Sequence, residues 1–390
     1  MRETQSNVRL FQIFAFLNRL ELWDAVYVLF LLDRGFSLAQ YGILDSLWYV
    51  GTLLFEVPTG ALTDRYGKRI SLFLSVLSQS LAFFIMASGR SFLAMSIAFA
   101  LWGFASSFET GTYSAFLYDS LKQVNRERDY RRVVSRTTTL QIVASALGGV
   151  IAGYMGGIHK ALPIEATAVI ALLLCPLVLL LKEPQVSEVG EPSYRLHIRE
   201  SIRFVSLRPL VALLLLYSAV MGAVVWGLRI FYQPLLDFYH IPVQGIGLLY
   251  LFLKLCAAAG AHFSARLHRM LGRVTIYLIP LVLVIAVFGM GFLITPWAVG
   301  FIFVSFFIDG FHQPILSALL NENIPSGKRA TIISLGSVVS CLMSAAVNPV
   351  LGRIGDVVSL QMAFRVVGIG TLACMALPLA FLGREAMGST

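Results

Sequence analysis

Apolar residues run along this chain in windows about twenty residues long, separated by short polar intervals, without the strict alternation that marks a half-buried strand. Twelve such windows are found, at 9–32, 39–59, 70–88, 92–117, 136–157, 162–181, 209–236, 244–264, 274–294, 297–320, 330–351 and 361–382. A helix needs about 20 apolar residues to cross ~30 Å of hydrocarbon. The pattern therefore predicts an all-α membrane protein with twelve transmembrane helices. Barrel strands would be about half as long and would alternate in polarity. The longest polar interval divides the windows six and six. It predicts an N-terminal six-helix bundle over 1–181, a cytoplasmic linker over 182–208 and a C-terminal six-helix bundle over 209–390, with 194–206 as a short amphipathic helix on the membrane surface.

Composition agrees with lipid as the main solvent. Hydrophobic residues make up 57% of the 390 and charged residues only 13%, against roughly 25% charged in soluble domains. The first apolar segment is full length and lacks a small-residue cleavage site, so it reads as a retained span. Cys175, Cys256, Cys341 and Cys374 stand singly in apolar segments. Neither a disulfide framework nor a metal site is indicated, and no cofactor is expected.

The net charge of +9 changes the picture only through its distribution. With the N-terminus in the cytoplasm, Arg34, Arg90, Lys160, Arg353 and Arg365 fall near the outer surface, and Arg19, Arg229 and Lys254 fall within spans. The other 22 of the 30 basic residues are cytoplasmic, so the positive-inside rule predicts a multi-pass inner (plasma) membrane protein with both termini inside. Nucleic acid is not a predicted partner. The basic stretch 122–136 reads as an inside loop beside anionic headgroups.

Charges inside the windows point to chemistry. Each costs ~2.5 to 3.5 kcal/mol at a span centre, and they mark cavities or partners. On a continuous helix Asn18, Glu21 and Asp24 form one polar stripe. Two acids on one face cannot both be cheaply ionised, which makes Glu21 and Asp24 the first candidates for proton coupling, with Glu109 and Asp309 in reserve. Arg19 points to another face and is expected to pair with Asp45, Glu56 or Glu109. Asn18, Arg19, Arg229, Lys254 and His312 are candidates for lining a substrate cavity.

The two halves echo one another. A shift of 205 residues places Gly42 on Gly247 and Gly67-Lys68 on Gly272-Arg273, and "FETG" at 108–111 is matched by "FIDG" at 307–310. Paired repeats around a midplane site are the architecture of secondary transporters.

The stretch "GALTDRYGKR" at 60–69 resembles the signature loop of the major facilitator superfamily, with Gly60, Asp64, Arg65, Gly67, Lys68 and Arg69 filling its positions. "FEVPTG", "GTYSAFLYDSL", "FYQPLL" and "IPSGKRATIISL" extend the likeness toward drug:proton antiporters similar to tetracycline- and macrolide-efflux carriers. The resemblance implies that Asp64 contacts the inner end of span eleven, that Lys68 pairs with Asp119, and that these residues gate transport. The chain departs from the antiporter pattern at Ser107, where an arginine is usual. It departs again in span five, where Ser145, Gly149, Gly153 and Gly157 form a small-residue face without the usual Gly-Pro pair.

The resulting expectation is a non-enzymatic, monomeric secondary transporter in a lipid bilayer, exporting a hydrophobic or amphipathic small molecule in exchange for protons. Uptake or exchange of a polar or anionic metabolite is the first alternative, and a non-transporting receptor or scaffold is the second. No phosphate-binding loop links the chain to ATP, and no Ser/His, HExxH or paired-acid motif marks it as a hydrolase.

Overall fold

The computed structural model describes residues 2–184 and 202–388, and among them only helices and their connections occur. Among the described residues, ten helical stretches are long and apolar enough to cross a membrane. Two further expected spans fall short for physical reasons. Span two, α3 (Leu38–Tyr66), carries Asp45, Glu56, Asp64 and Arg65, and span one is not a single helix. The fold is that of an all-α membrane protein.

The chain forms two compact units, Met1–Glu188 with Ile241–Leu251, and Val189–His240 with Phe252–Thr390. The first contains α1 (Arg2–Asn18), α2 (Tyr27–Asp33), α3, α4 (Lys68–Ser88), α5 (Phe92–Glu109), α6 (Thr112–Lys122), α7 (Tyr130–Ile158) and α8 (Leu162–Leu179). The second contains α9 (Pro209–Phe238), α11 (Val274–Phe292), α12 (Val299–Asn323), α13 (Ser326–Val357) and α14 (Leu360–Gly388). Helix α10 (Val243–Leu271) begins in the first unit and continues into the second. Most of the expected 194–206 surface helix lies outside the described residues, and 202–206 are helical.

Local sequence explains several boundaries. Ser37 and Gln40 form a reciprocal capping box that starts α3, satisfying two backbone N–H groups at once. Ser91 caps α5 by accepting from Ala94 N at 3.1 Å. Arg34 donates to the carbonyls of Ala87 and Gly89 at the end of α4, which otherwise face away from any helical partner.

Unit 1 is filled by Phe11, Phe14, Leu72, Val76, Phe116, Leu174 and Val178, with Phe11 stacked on Phe116 at 5.1 Å. Trp23, Tyr27, Trp48, Phe83 and Trp102 form a second aromatic cluster by edge and tilted contacts, with Trp23 and Trp102 centroids 4.6 Å apart. These rings pack against one another in the interior of unit 1. Unit 2 has a smaller buried cluster of Val211, Leu214, Leu215, Leu320, Ile324 and Ile332. Leu93, Ile158, Leu173, Leu180, Trp297 and Leu377 are largely exposed, the arrangement expected when lipid covers the outer surface.

Two expected helices are interrupted. Span one breaks between Asn18 and Tyr27, and span four between Glu109 and Thr112, where Gly111 adopts φ +77°. The equivalent acid-glycine pair in unit 2, Asp309-Gly310, remains inside the continuous α12. Gly310 serves packing instead, since a Cβ there would collide with the Ala257 carbonyl. The matched tetrapeptides therefore use glycine in two ways, for a left-handed turn and for close approach.

Close approach also explains the small-residue face of α7. A Cβ on Gly153 would lie 2.7 Å from Gly247 Cα, and one on Gly247 would lie 2.6 Å from Gly153 Cα. No side chain fits between these backbones. Gly153→Val is expected to lower thermal stability by about 1 to 3 kcal/mol through overpacking, whereas Gly370→Ala, within a helix and with open space around it, should leave the unfolding midpoint no lower.

Candidate functional site

The break in span one falls on the charged stretch "RLELWDAV" at 19–26. Unwound backbone at membrane depth is tolerated only when protein surrounds it, and here Leu22, Trp23, Asp24, Ala25 and Val26 are all buried. Short-range bonds replace the helical ladder, with Asp24 N donating to Glu21 O at 3.0 Å and Val26 N to Trp23 O at 3.1 Å. Glu21 takes φ +43°, a conformation uncommon for a residue with a Cβ. The Leu20 carbonyl rests against Gly148, where a Cβ would coincide with it. A helical stripe of Asn18, Glu21 and Asp24 was expected; the break sends these side chains to different partners.

Asn18 donates both amide hydrogens across unit 1, to Glu109 Oε1 at 3.0 Å and to Tyr113 Oη at 2.7 Å. Glu109 also accepts from Ser75 Oγ at 3.4 Å. It ends α5, just before the Gly111 turn, so the interruption of span four aims its carboxylate at span one. Arg19 forms an ion pair with Glu21 at 2.6 Å. This corrects the expectation of a partner on another helix, because the reversal of the backbone at Leu20 and Glu21 brings the two side chains to the same side.

Asp24 is only 4% exposed and accepts from the Tyr250 hydroxyl. Tyr250, from the portion of α10 inside unit 1, shares a 3.3 Å hydrogen bond with Ser145, and Ser145 lies 3.5 Å from Glu21 Oε2. Polar contacts thus run from Arg19 through Glu21, Ser145 and Tyr250 to Asp24. Tyr113 and Tyr250 were not among the sequence candidates, and neither was Gln79, a buried residue that lines a small cavity with Asn18, Glu21 and Thr167. A single Gln within an apolar span was the available signal for the last.

The remaining candidates belong to unit 2. The Arg229 guanidinium stacks 4.5 Å from the Trp226 ring centroid, a cation–π contact. Lys254 lies in α10. Asp309 and His312 share α12, and buried His312 places Nδ1 2.9 Å from the Ile308 carbonyl, which requires that nitrogen to carry the proton.

The signature stretch is more helical than a loop. Helix α3 runs to Tyr66 and α4 starts at Lys68, so Gly67, at φ +91°, is the whole connection. Gly60, exposed Asp64 and Arg65 lie in the last turns of α3, and Arg65 stacks 5.3 Å from the Tyr66 ring. Lys68 Nζ lies 2.8 Å from Asp119. The acid at the N-terminus of α4 is Glu183, which accepts from Lys68 N at 2.7 Å and Arg69 N at 2.6 Å. Helix-terminal N–H groups attract an anion in this way, and a Cβ on Gly67 would lie 2.8 Å from the Glu183 carboxyl carbon.

A helical fold with charged, unwound backbone buried in its apolar interior defines a multi-pass membrane transporter. The family model described as Major Facilitator Superfamily matches residues 13–348, and the chain belongs to that superfamily. It is 23% identical over 366 residues to the Bacillus subtilis (strain 168) protein described as the uncharacterized MFS-type transporter YxaM, covering 89% of this chain and 88% of that one. The solved nucleoside transporter NupG aligns with a TM-score of 0.78 at 13% identity, over 96% of this chain and 98% of that chain. A bacterial homologue of the human lysosomal transporter Spinster, inward-facing and occupied, gives 0.77 at 14% over 99% and 97%. At these identities the structural likeness is one of fold.

Glu183→Ala removes two charge-assisted bonds to backbone N–H groups. It is expected to destabilise the protein by about 1.5 to 3 kcal/mol, read as a lower thermal midpoint in detergent.

Proposed function

We propose that the chain is a proton-coupled secondary transporter that exports a hydrophobic or amphipathic small molecule by alternating access of two six-helix halves. The observation that carries this reading is the placement of Glu21 and Asp24 in the buried break of span one. A carboxylate is costly as an anion at membrane depth, and its partners determine whether a proton can be held and released there. The Tyr250 hydroxyl suits both states of Asp24, since it donates to the ionised carboxylate and can accept from the protonated one. Glu21 already has Arg19 to balance its charge. Asp24 is therefore the preferred proton carrier, with Glu21 coupled to it through Ser145.

Export as the direction rests on the likeness of 60–69 and its flanks to efflux carriers. In the same reading Asp64 and the Lys68–Asp119 pair act in gating, 182–208 links the halves, both termini are cytoplasmic in the plasma membrane, and the protein works as a monomer. A second reading is favoured by one observation: Asn18, Glu109 and Tyr113 form a compact set of donors and acceptors, which suits a polar solute such as a nucleoside. The fold shared with a nucleoside transporter is compatible with it.

Inverted vesicles containing the protein and energised to acidify their interior are expected to accumulate ethidium. The double variant E21Q/D24N should abolish that accumulation, and uphill transport retained by it would transfer the proton role to Glu109 or Asp309. Asp64→Asn should insert normally yet lower the rate strongly; an undiminished rate would remove it from the gate. Proton-driven uridine uptake without ethidium flux would replace export by the second reading.

A further inference from the structure

A cavity of about 250 Å³ that transport leaves unused lies at the end of unit 1 that carries the N-terminus. Three segments converge on it. Helix α1 contributes Val8, Arg9 and Gln12, the end of α6 and the turn after it contribute Leu121, Val124 and Arg126, and the start of α7 with its preceding turn contributes Asp129, Arg132, Val133 and Arg136. Four arginines and one aspartate give the lining a formal charge of +3.

The charges are not balanced from within. Arg126 is held by Asp129, through Nε and Nη2, each at 2.6 Å. Among the described residues, Arg9, Arg132 and Arg136 make no ion pair. Arg132 and Arg136 stand four residues apart on one face of α7, an arrangement that destabilises a helix through like-charge repulsion. The segments that line the cavity are nevertheless tied to one another, with its arginines exposed. Gln12 donates to Thr137 at 3.3 Å and ties α1 to α7, while Asn125, at φ +57°, turns the chain so that Arg126 N can bond the Leu121 carbonyl at 3.0 Å.

A general need for positive charge on one membrane face does not explain this convergence. Arg128 and Arg131, in the same stretch, supply such charge without lining the cavity. Guanidinium groups present paired N–H donors in a plane that matches the oxygens of phosphate, which makes a cluster of them a phosphate site more than a general cation patch. Val8, Leu121, Val124 and Val133 provide apolar wall beside it, where the carbon portion of a phosphate ester could rest. We propose that this cavity binds a phosphate-bearing anion through Arg9, Arg132 and Arg136. The source of that phosphate is either the headgroup of an anionic phospholipid or a soluble phosphate, and both present the same oxygens to the arginines.

The test uses the purified full chain in uncharged detergent micelles, with the thermal unfolding midpoint read at constant ionic strength. Phosphatidylglycerol, phosphatidylcholine and inorganic phosphate are titrated separately. Phosphatidylglycerol is expected to raise the midpoint, and phosphatidylcholine to leave it unchanged. In R132Q/R136Q the apparent affinity should fall by about tenfold or more, because the charge-assisted hydrogen bonds of two guanidinium groups to the phosphate are lost. R128Q/R131Q, which removes equal charge outside the cavity, should match wild type. A rise with phosphatidylglycerol alone assigns the lipid as source; a rise with inorganic phosphate as well assigns the phosphate group whatever carries it. Equal losses in the two double variants, or no rise with either anion, would overturn the proposal. These readouts need no transported substrate and stand apart from the transport reading.

Discussion

The break in span one is the constraint on which the polar contacts around it depend, and the ion pair between Arg19 and Glu21 sits at that break. Glu21 is largely buried while Arg19 is partly exposed, and a straight helix would point the two side chains to different faces. Unwinding the chain at Leu20 and Glu21 brings them to 2.6 Å, at the cost of a left-handed residue and several backbone groups removed from the helical ladder. That cost requires the break to be enclosed by protein. Small residues on α7 provide the enclosure, with Gly148 taking the Leu20 carbonyl and Gly149 and Gly153 admitting the first turns of α10. Packing and polar chemistry are thus parts of one arrangement, because the approach that buries the break also delivers Tyr250 to Asp24.

Much of the fold was legible in the sequence, since length and polarity are what a bilayer constrains most strongly. The apolar windows and their approximate bounds follow from hydrocarbon thickness, and the close-packing face of α7 follows from glycines at every fourth position. The break in span one was not legible as a break. Charges in an apolar window signal that partners exist, but a periodic wheel assumes the very helix that those charges undo. Arg19 illustrates the limit, because its partner is two residues away and becomes reachable only after the chain has turned.

The signature region shows a related limit. The sequence correctly marked Lys68 and Asp119 as residues to place together, on the strength of resemblance, and they lie 2.8 Å apart. Glu183, which holds the first N–H groups of α4, lies 115 residues from Lys68 along the chain and carries no local motif. Likewise, "FETG" and "FIDG" read alike, yet Gly111 turns the backbone while Gly310 clears space for a neighbour. A repeat in sequence records common geometry only where the surrounding contacts are also repeated.

The transport reading depends on a buried carboxylate in the break that takes up and releases a proton. Infrared difference spectroscopy of the reconstituted protein during a pH titration tests this without knowledge of the substrate, because a protonated carboxyl group has its own C=O stretching band. The account predicts a band that grows as pH falls, shifts when Tyr250→Phe removes its hydroxyl partner, and vanishes in Asp24→Asn. A spectrum that is unchanged by Asp24→Asn would contradict the assignment of Asp24 as the proton carrier.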